Sequence, residues 1–238
     1  MTDDPSAANR SPDGVSAGRQ LLLDFPRIDA GQRPLIETAP YRDAFTALRR
    51  WKDWPERQLA LSGEAFAGKT RLLRWWAAET GAAVVTGEAL ARAGMDEIAR
   101  LSITALAVDD ADAPGDGRGL LAALNLCRDR KAAVLLAGQG EPGSWLAQPP
   151  DLVSRLRAMP VARIGEPDDE TLALRLREEC ARRHLILPDE SVVYLSERME
   201  RSWAAVGLVA DQIERTKGRA ETKPSARAVL VALGMDPG

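Results

Sequence analysis

Gly63-Glu-Ala-Phe-Ala-Gly68-Lys69-Thr70 is the stretch whose reading decides the fold. Two glycines bracket four residues and are followed by Lys and Thr, the full phosphate-loop pattern. Glycines let the backbone bend so that successive N–H groups point into one concavity, where an anion can sit at the start of a helix. Lys69 brings a mobile positive charge for the β- and γ-phosphates, and the Thr70 hydroxyl can ligate Mg²⁺. Gly63, Gly68, Lys69 and Thr70 are therefore the expected nucleotide-binding residues, with ADP or ATP and Mg²⁺ as ligands.

The flanks agree with the motif. Arg57-Gln-Leu-Ala-Leu-Ser62 is a short apolar run suited to a buried strand, and Arg71-Leu-Leu-Arg-Trp-Trp-Ala-Ala-Glu79 has the spacing of an amphipathic helix. From there the chain alternates. Strand-like runs are expected at 58–61, 82–86, 105–110, 132–137 and 161–164. Helices are expected at 70–79, 88–93 with a continuation to 100, 119–130 and 151–158. That rhythm predicts βαβ units and a mainly parallel five-stranded sheet covered on both faces. A further helix is expected at 41–51, ahead of Pro55.

After Pro167 the alternation stops. Helices at about 168–183, 188–199, 202–217 and 223–233 predict a small all-helical second unit. The expected division is a polar, disordered tail over 1–19, a short apolar segment at 20–25, an α/β nucleotide-binding core over 41–165 and a helical lid over 166–238.

Composition narrows the functional classes. The chain has 238 residues, 45% apolar and 28% charged, with a net charge of −3. No overall basic field draws it to nucleic acid, and no direct sequence-specific DNA binding is expected. Cys127 and Cys180 are too few for a disulfide framework, and one histidine, His184, leaves little room for histidine metal chemistry. With no apolar run of the ~20 residues a membrane span needs, and no signal peptide, the expectation is a cytoplasmic protein without a membrane partner.

Leu106-Ala-Val108-Asp109-Asp110 is a second nucleotide signal, an apolar strand ending in paired acids. On chemistry alone, Asp109 would hold the metal and Asp110 would polarise the attacking water.

With these motifs in hand, the chain resembles the AAA+ domain of the DnaA replication initiator, and more closely the shortened Hda/HdaA family of DnaA-related regulators. Gln20-Leu-Leu-Leu23-Asp-Phe25 is similar to the peptide by which that family docks on the DNA polymerase sliding clamp. Val108-Asp-Asp110 matches its Walker B segment. Asp151-Leu-Val-Ser154-Arg155-Leu156 matches the stretch that carries its arginine finger. Arg198-Met-Glu-Arg201-Ser-Trp203 falls where the family has its sensor II arginine.

The resemblance implies a P-loop AAA+ core followed by a helical lid. Clamp contact would come from Gln20, Leu21, Leu23 and Phe25. Arg155 would act in trans on DnaA, and Arg201, or the nearby Arg198, would contact nucleotide from the lid. The sensor 1 position falls on Gln139, where the family usually has Asp or Asn, so intrinsic hydrolysis is expected to be weak or absent. The chain ends at Gly238 without space for an origin-reading helix-turn-helix module, which favours the shortened layout as an expectation.

The implied partners are the sliding clamp and DnaA, with a homo-oligomer also open. The implied function is negative regulation of replication initiation by stimulating hydrolysis of DnaA-bound ATP. A self-hydrolysing P-loop ATPase, or helicase-loader-like motor, is the alternative, and a nucleotide-stabilised scaffold is a third. Leu21, Leu23 and Phe25 could instead form an edge strand, but they stand alone between polar stretches, as recognition peptides do. Trp51, Trp54, Trp75 and Trp76 are expected in the core, and Arg175, Arg177, Arg182 and Arg183 on a solvated helix face.

Overall fold

The phosphate-loop strand is the second from the edge of a five-stranded, all-parallel sheet in the computed structural model, which describes residues 37–94, 97–98, 103–146, 148–217 and 225–235. The strands are β1 (Gln58–Ser62), β2 (Ala83–Thr86), β3 (Ala105–Asp109), β4 (Ala133–Gly138) and β5 (Val161–Arg163), in spatial order β2-β3-β4-β1-β5. The helices of the α/β part are α1 (Arg42–Arg49), α2 (Lys69–Thr80), α3 (Gly87–Arg92), α4 (Arg118–Asp129) and α5 (Pro150–Ala158). Every strand and helix expected there is present to within a residue or two. The exceptions are the 41–51 segment, which divides into α1 between short 3-10 turns, and the continuation of the third helix to 100. Residues 97 and 98 of that continuation are helical, and its other residues lie partly outside the described ones.

β3 and β4 are buried along their whole length, as strands of a sheet covered on both faces must be. The period-two alternation sorts their side chains into two cores. Leu106, Val108, Val134 and Leu136 face Leu90, Leu120, Leu124, Leu152 and Leu156 from α3, α4 and α5. Ala105, Ala107, Ala133, Leu135 and Ala137 face the other way, toward Leu48 of α1 and Leu72, Leu73 and Trp76 of α2. Alanines on that second face leave depth for the indole of Trp76, which is 1% exposed and stacks on Trp54 at 5.2 Å between ring centroids. Trp51 and Trp75 pack partly buried against the same cluster, so the tryptophans are core residues as expected.

The register aligns the working ends of the strands. Ser62 pairs with Gly138, and Thr86 with Asp109. Because every pair is parallel, the loops that follow β1, β3 and β4 emerge along one edge of the sheet, where ligands of open α/β sheets bind.

Beyond β5 come α6 (Asp169–Arg182), α7 (Asp189–Arg198), α8 (Trp203–Lys217) and α9 (Ala226–Ala232). They enclose a third core around Leu172, Leu176, Leu195, Val209, Ile213 and Leu230. Asp168 caps α6 by accepting from the Thr171 N–H, and Ser225 caps α9 by accepting from Ala228. Trp203, at the head of α8, pins this helical unit to the α/β part. Its indole N–H donates to the Gly165 carbonyl at 3.2 Å and its ring lies 5.4 Å from that of Tyr41.

Among the described residues no helix is long and apolar enough to cross a membrane. The tail over 1–19 and the segment Gln20, Leu21, Leu23 and Phe25 lie outside the described residues.

Candidate nucleotide site

A cleft of about 1,210 Å³ opens where the phosphate loop faces the helical unit. Ala65, Phe66, Gly68, Lys69 and Thr70 form its floor, with Asp110, Asp112 and Gln139 on one side and residues of α6 and α8 on the other. Gly68 begins α2 with φ +87°, a left-handed conformation that a side chain would strain. A Cβ there would also lie 3.3 Å from the Tyr41 hydroxyl, which donates to the Ala67 carbonyl at 3.0 Å and so clamps the loop. Burial pushes the Tyr41 phenol up to about 12, opposed by the nearby guanidinium groups of Arg175 and Arg71, so it remains a donor throughout the physiological range. The Lys69 ammonium curls back onto the Gly63 and Glu64 carbonyls at 3.0 and 2.8 Å. Three donors on a flexible stem let it leave those carbonyls for phosphate oxygens.

Asp109 ends β3 only 6% exposed, and its Oδ1 has no hydrogen-bond partner. Loss of solvent raises the pKa of its carboxyl above the ordinary carboxylate value. A hydrogen bond with the Thr70 side chain works against that rise, the charge of Asp110 adds to it, and Arg74 opposes it. An orphaned carboxylate oxygen beside a threonine hydroxyl is a pair of hard oxygen donors that fits Mg²⁺. Among the described residues no group of three or more His, Cys, Asp or Glu could hold a metal. Mg²⁺ at Thr70 and Asp109 would therefore take its other ligands from phosphate and water, the usual arrangement for this ion.

Asp110 faces the cleft from a left-handed backbone, φ 49°. Its carbonyl oxygen lies where a Cβ on Gly87 would come within 2.2 Å, so the glycine at the start of α3 permits that turn. Gln139 also lines the cleft. Its N–H donates to Asp112 at 3.2 Å and its carbonyl accepts from the Trp145 indole at 2.7 Å, which fixes the backbone and leaves the amide exposed.

The structure brings together Gly68, Lys69, Thr70, Asp110 and Gln139 at the cleft, with Asp109 behind Thr70. It does not bring Arg201 there. Arg201 pairs with Asp169 at 3.0 Å on the surface, and Arg198 lies over the Tyr194 ring at 4.2 Å, so the lid arginine expected on the nucleotide is absent from the cleft lining. Arg201 lies in the bend before α8, which starts at Trp203, so it does not share the helix face that lines the cleft with Trp203, Ala204, Val206, Gly207, Leu208 and Asp211.

Cations reach the cleft from α2 and α6 instead: Arg71, Arg74, Arg175, Arg182 and Arg183. The solvated-face expectation holds for Arg177 and Arg182, which stay largely exposed, and fails for Arg175 and Arg183. Arg183 is held by Glu179, Asp211 and Glu214, tying α6 to α8. The Arg182 guanidinium, above all by its hydrogen bonds, keeps the Glu179 carboxyl below the ordinary carboxylate range.

Arg155 projects from α5 away from this cleft. It binds Asp151 at 2.9 Å and the Asn125 side chain of α4 at 2.8 Å. Sequence reading missed Tyr41, Arg71, Arg175, Glu178 and Trp203. Arg71, directly after Thr70, was the one with a local signal. Glu178 lies 107 positions from its partner Arg71, and no local pattern links them.

The sequence matches no protein-family model, and no curated protein is significantly similar to it. Solved structures resemble it in fold. Domain III of the replication initiation protein DnaA from Thermotoga maritima superposes with a TM-score of 0.65 at 19% identity, covering 85% of this chain and 95% of that one. AMPPCP-bound DnaA from Aquifex aeolicus gives 0.59 at 18% identity, covering 76% of this chain and 63% of that one. The Thermotoga maritima RuvB Holliday junction branch migration motor gives 0.54 at 15% identity, covering 83% and 68%. The fold is that of the DnaA and RuvB AAA+ domains, as expected.

Proposed function

We propose that this chain is a nucleotide-binding AAA+ adaptor that restrains replication initiation by promoting ATP hydrolysis on a DnaA-type partner. The observation that carries the nucleotide half is the intact loop from Gly63 to Thr70 set beside Asp109, whose buried oxygen lacks a partner. A DnaA relative of the same fold was solved with AMPPCP bound, which supports a nucleotide at the equivalent place here.

In this reading the backbone N–H groups of the loop bind the phosphates, Lys69 neutralises them, and Thr70 with Asp109 orients the cation. Mg²⁺, when bound, neutralises charge on the β- and γ-phosphates. Gln139 stands where the resembled family uses Asp or Asn, and none of the α8 residues lining the cleft is a cation, which supports a nucleotide that acts as a conformational ligand rather than a substrate. The ligand would set the angle between the α/β part and the lid.

The catalytic half rests on Arg155. It stands outside its own chain's cleft, so a phosphoryl group it meets belongs to another subunit. An arginine supplied in trans stabilises charge developing at the transition state. Docking on the sliding clamp through Gln20, Leu21, Leu23 and Phe25 would bring the partner into reach.

The test is hydrolysis of ATP by DnaA in the presence of clamp-loaded DNA and this protein. Wild-type protein is expected to accelerate it, and Arg155→Ala to abolish most of the acceleration, a term of about 10³–10⁵ for such arginines. Nucleotide and clamp binding are expected to persist in that variant, and Arg157→Ala, on the exposed neighbour, to stay active. Robust hydrolysis by this chain alone that disappears with Arg155→Ala would establish the homo-oligomeric motor instead.

A further inference from the structure

We propose that Glu178 occupies an anion site in the nucleotide cleft, and that nucleotide phosphate displaces it from Arg71 and Arg175. The proposal rests on the nucleotide-binding reading and names the lid contact with which phosphate competes.

The geometry is convergent. A single oxygen, Glu178 Oε2, accepts from Arg71 Nη1 of α2 at 2.7 Å and from Arg175 Nη1 of α6 at 3.0 Å. The three side chains are shielded: Arg71 is 24% exposed, Arg175 25% and Glu178 18%. All three line the cleft together with Lys69 and Thr70. Arg71 sits on the first turn of the helix whose N-terminus begins at the phosphate loop, one residue beyond Thr70. The pair Arg71–Glu178 therefore ties the α/β part to the lid within the lining of the cleft.

Charge favours an exchange. Two guanidinium groups share one oxygen of one carboxylate, so each competes with the other for its acceptor. Guanidinium forks match phosphate at least as well as carboxylate. A nucleotide diphosphate seated on the loop brings further anionic oxygens to the same end of α2, where the helix N-terminus also favours negative charge. Phosphate and Glu178 then compete for the same donors. Without nucleotide, the carboxylate bridges both arginines and keeps the lid tethered. With nucleotide, phosphate takes over the bridging, and the lid is held through the ligand. The lid would then report occupancy through an exchange of anions on α6, since none of the α8 residues lining the cleft is a cation.

Removing the competitor should strengthen binding. Titration of the full chain with MgADP by calorimetry is expected to show Glu178→Gln binding about tenfold more tightly, equivalent to ~1.4 kcal/mol. Glu178→Asp, whose shorter arm cannot span both arginines, is expected to tighten binding by a smaller factor. Arg175→Gln is expected to weaken it by about tenfold. Hydrogen exchange of α6 supplies a readout independent of affinity. Glu178→Gln is expected to speed exchange in the ligand-free protein and to leave it at the wild-type level when MgADP is bound. MgADP binding that Lys69→Ala abolishes but that Glu178→Gln and Arg175→Gln leave unchanged would overturn the exchange while leaving the nucleotide site intact. Weaker binding by Glu178→Gln would also overturn it and make Glu178 a ligand-supporting residue. Wild-type protein that binds no MgADP would refute the nucleotide reading itself.

Discussion

Replacing Asp109 with Asn is predicted to stabilise the ligand-free protein while removing the benefit of magnesium. The carboxylate is 6% exposed, one oxygen is unpaired, and Asp110 adds like charge at the next residue. An unsatisfied buried polar group costs about 1–3 kcal/mol, and the Thr70 hydrogen bond and Arg74 recover part of it. A neutral amide of the same shape still buries a polar group and does not recover that cost, but it removes the charge, its desolvation and the repulsion from Asp110, so a net gain of about 1 kcal/mol is expected, or roughly 2–4 °C in Tm for a chain of this size.

The sign with pH follows from the raised pKa. Below the ordinary carboxylate value Asp109 is protonated in both folded and unfolded chains, and it contributes no difference. As pH rises, the unfolded chain ionises first, so stability falls until the folded-state value is passed. The advantage of Asp109→Asn should therefore be absent in acid, grow through that window and be complete at neutral pH. Thermal melts of both proteins across pH, without nucleotide, measure it. MgADP at a hundred times its Kd should add ~2.7 kcal/mol to the wild type. In the variant, melts with ADP should be insensitive to magnesium. An Asp109→Asn protein that melts lower than wild type at neutral pH without ligand would refute the reasoning, because the carboxylate would then be a satisfied core group.

Trp76→Ala should cost about 3–5 kcal/mol in denaturant unfolding, since the indole is fully buried and stacked on Trp54. Trp76→Phe should cost far less, because its indole N–H has no partner to lose; equal losses would show that ring size is not what matters. Leu21→Ala with Phe25→Ala should abolish binding to immobilised sliding clamp without changing Tm or nucleotide affinity, whereas a large fall in Tm would mark the segment as a core strand. Arg183→Ala should loosen α6 against α8, seen as faster amide exchange in both helices, because it is bound by Glu179, Asp211 and Glu214 together; unchanged exchange would show that the three ion pairs contribute nothing measurable.

The loop from Gly63 to Thr70, the strand ending at Asp109 and the alternation of apolar runs were legible along the chain, because each is a local demand. A phosphate loop needs its glycines and lysine within eight positions, and a strand buried on both faces needs an unbroken apolar run. Fold and phosphate site follow from these alone. What faces the cleft from the lid was decided only in three dimensions. Arg201 looked right by position, yet the start of α8 just beyond it turns Ala204 and Gly207 inward and leaves Arg201 on Asp169 at the surface. Arg201 precedes the helix, so where α8 begins, and not position in the chain, decided which residues share the face that lines the cleft. Arg71 of α2 meets Glu178 and Arg175 of α6 through long side chains that reach between distant segments, a meeting that no local pattern encodes.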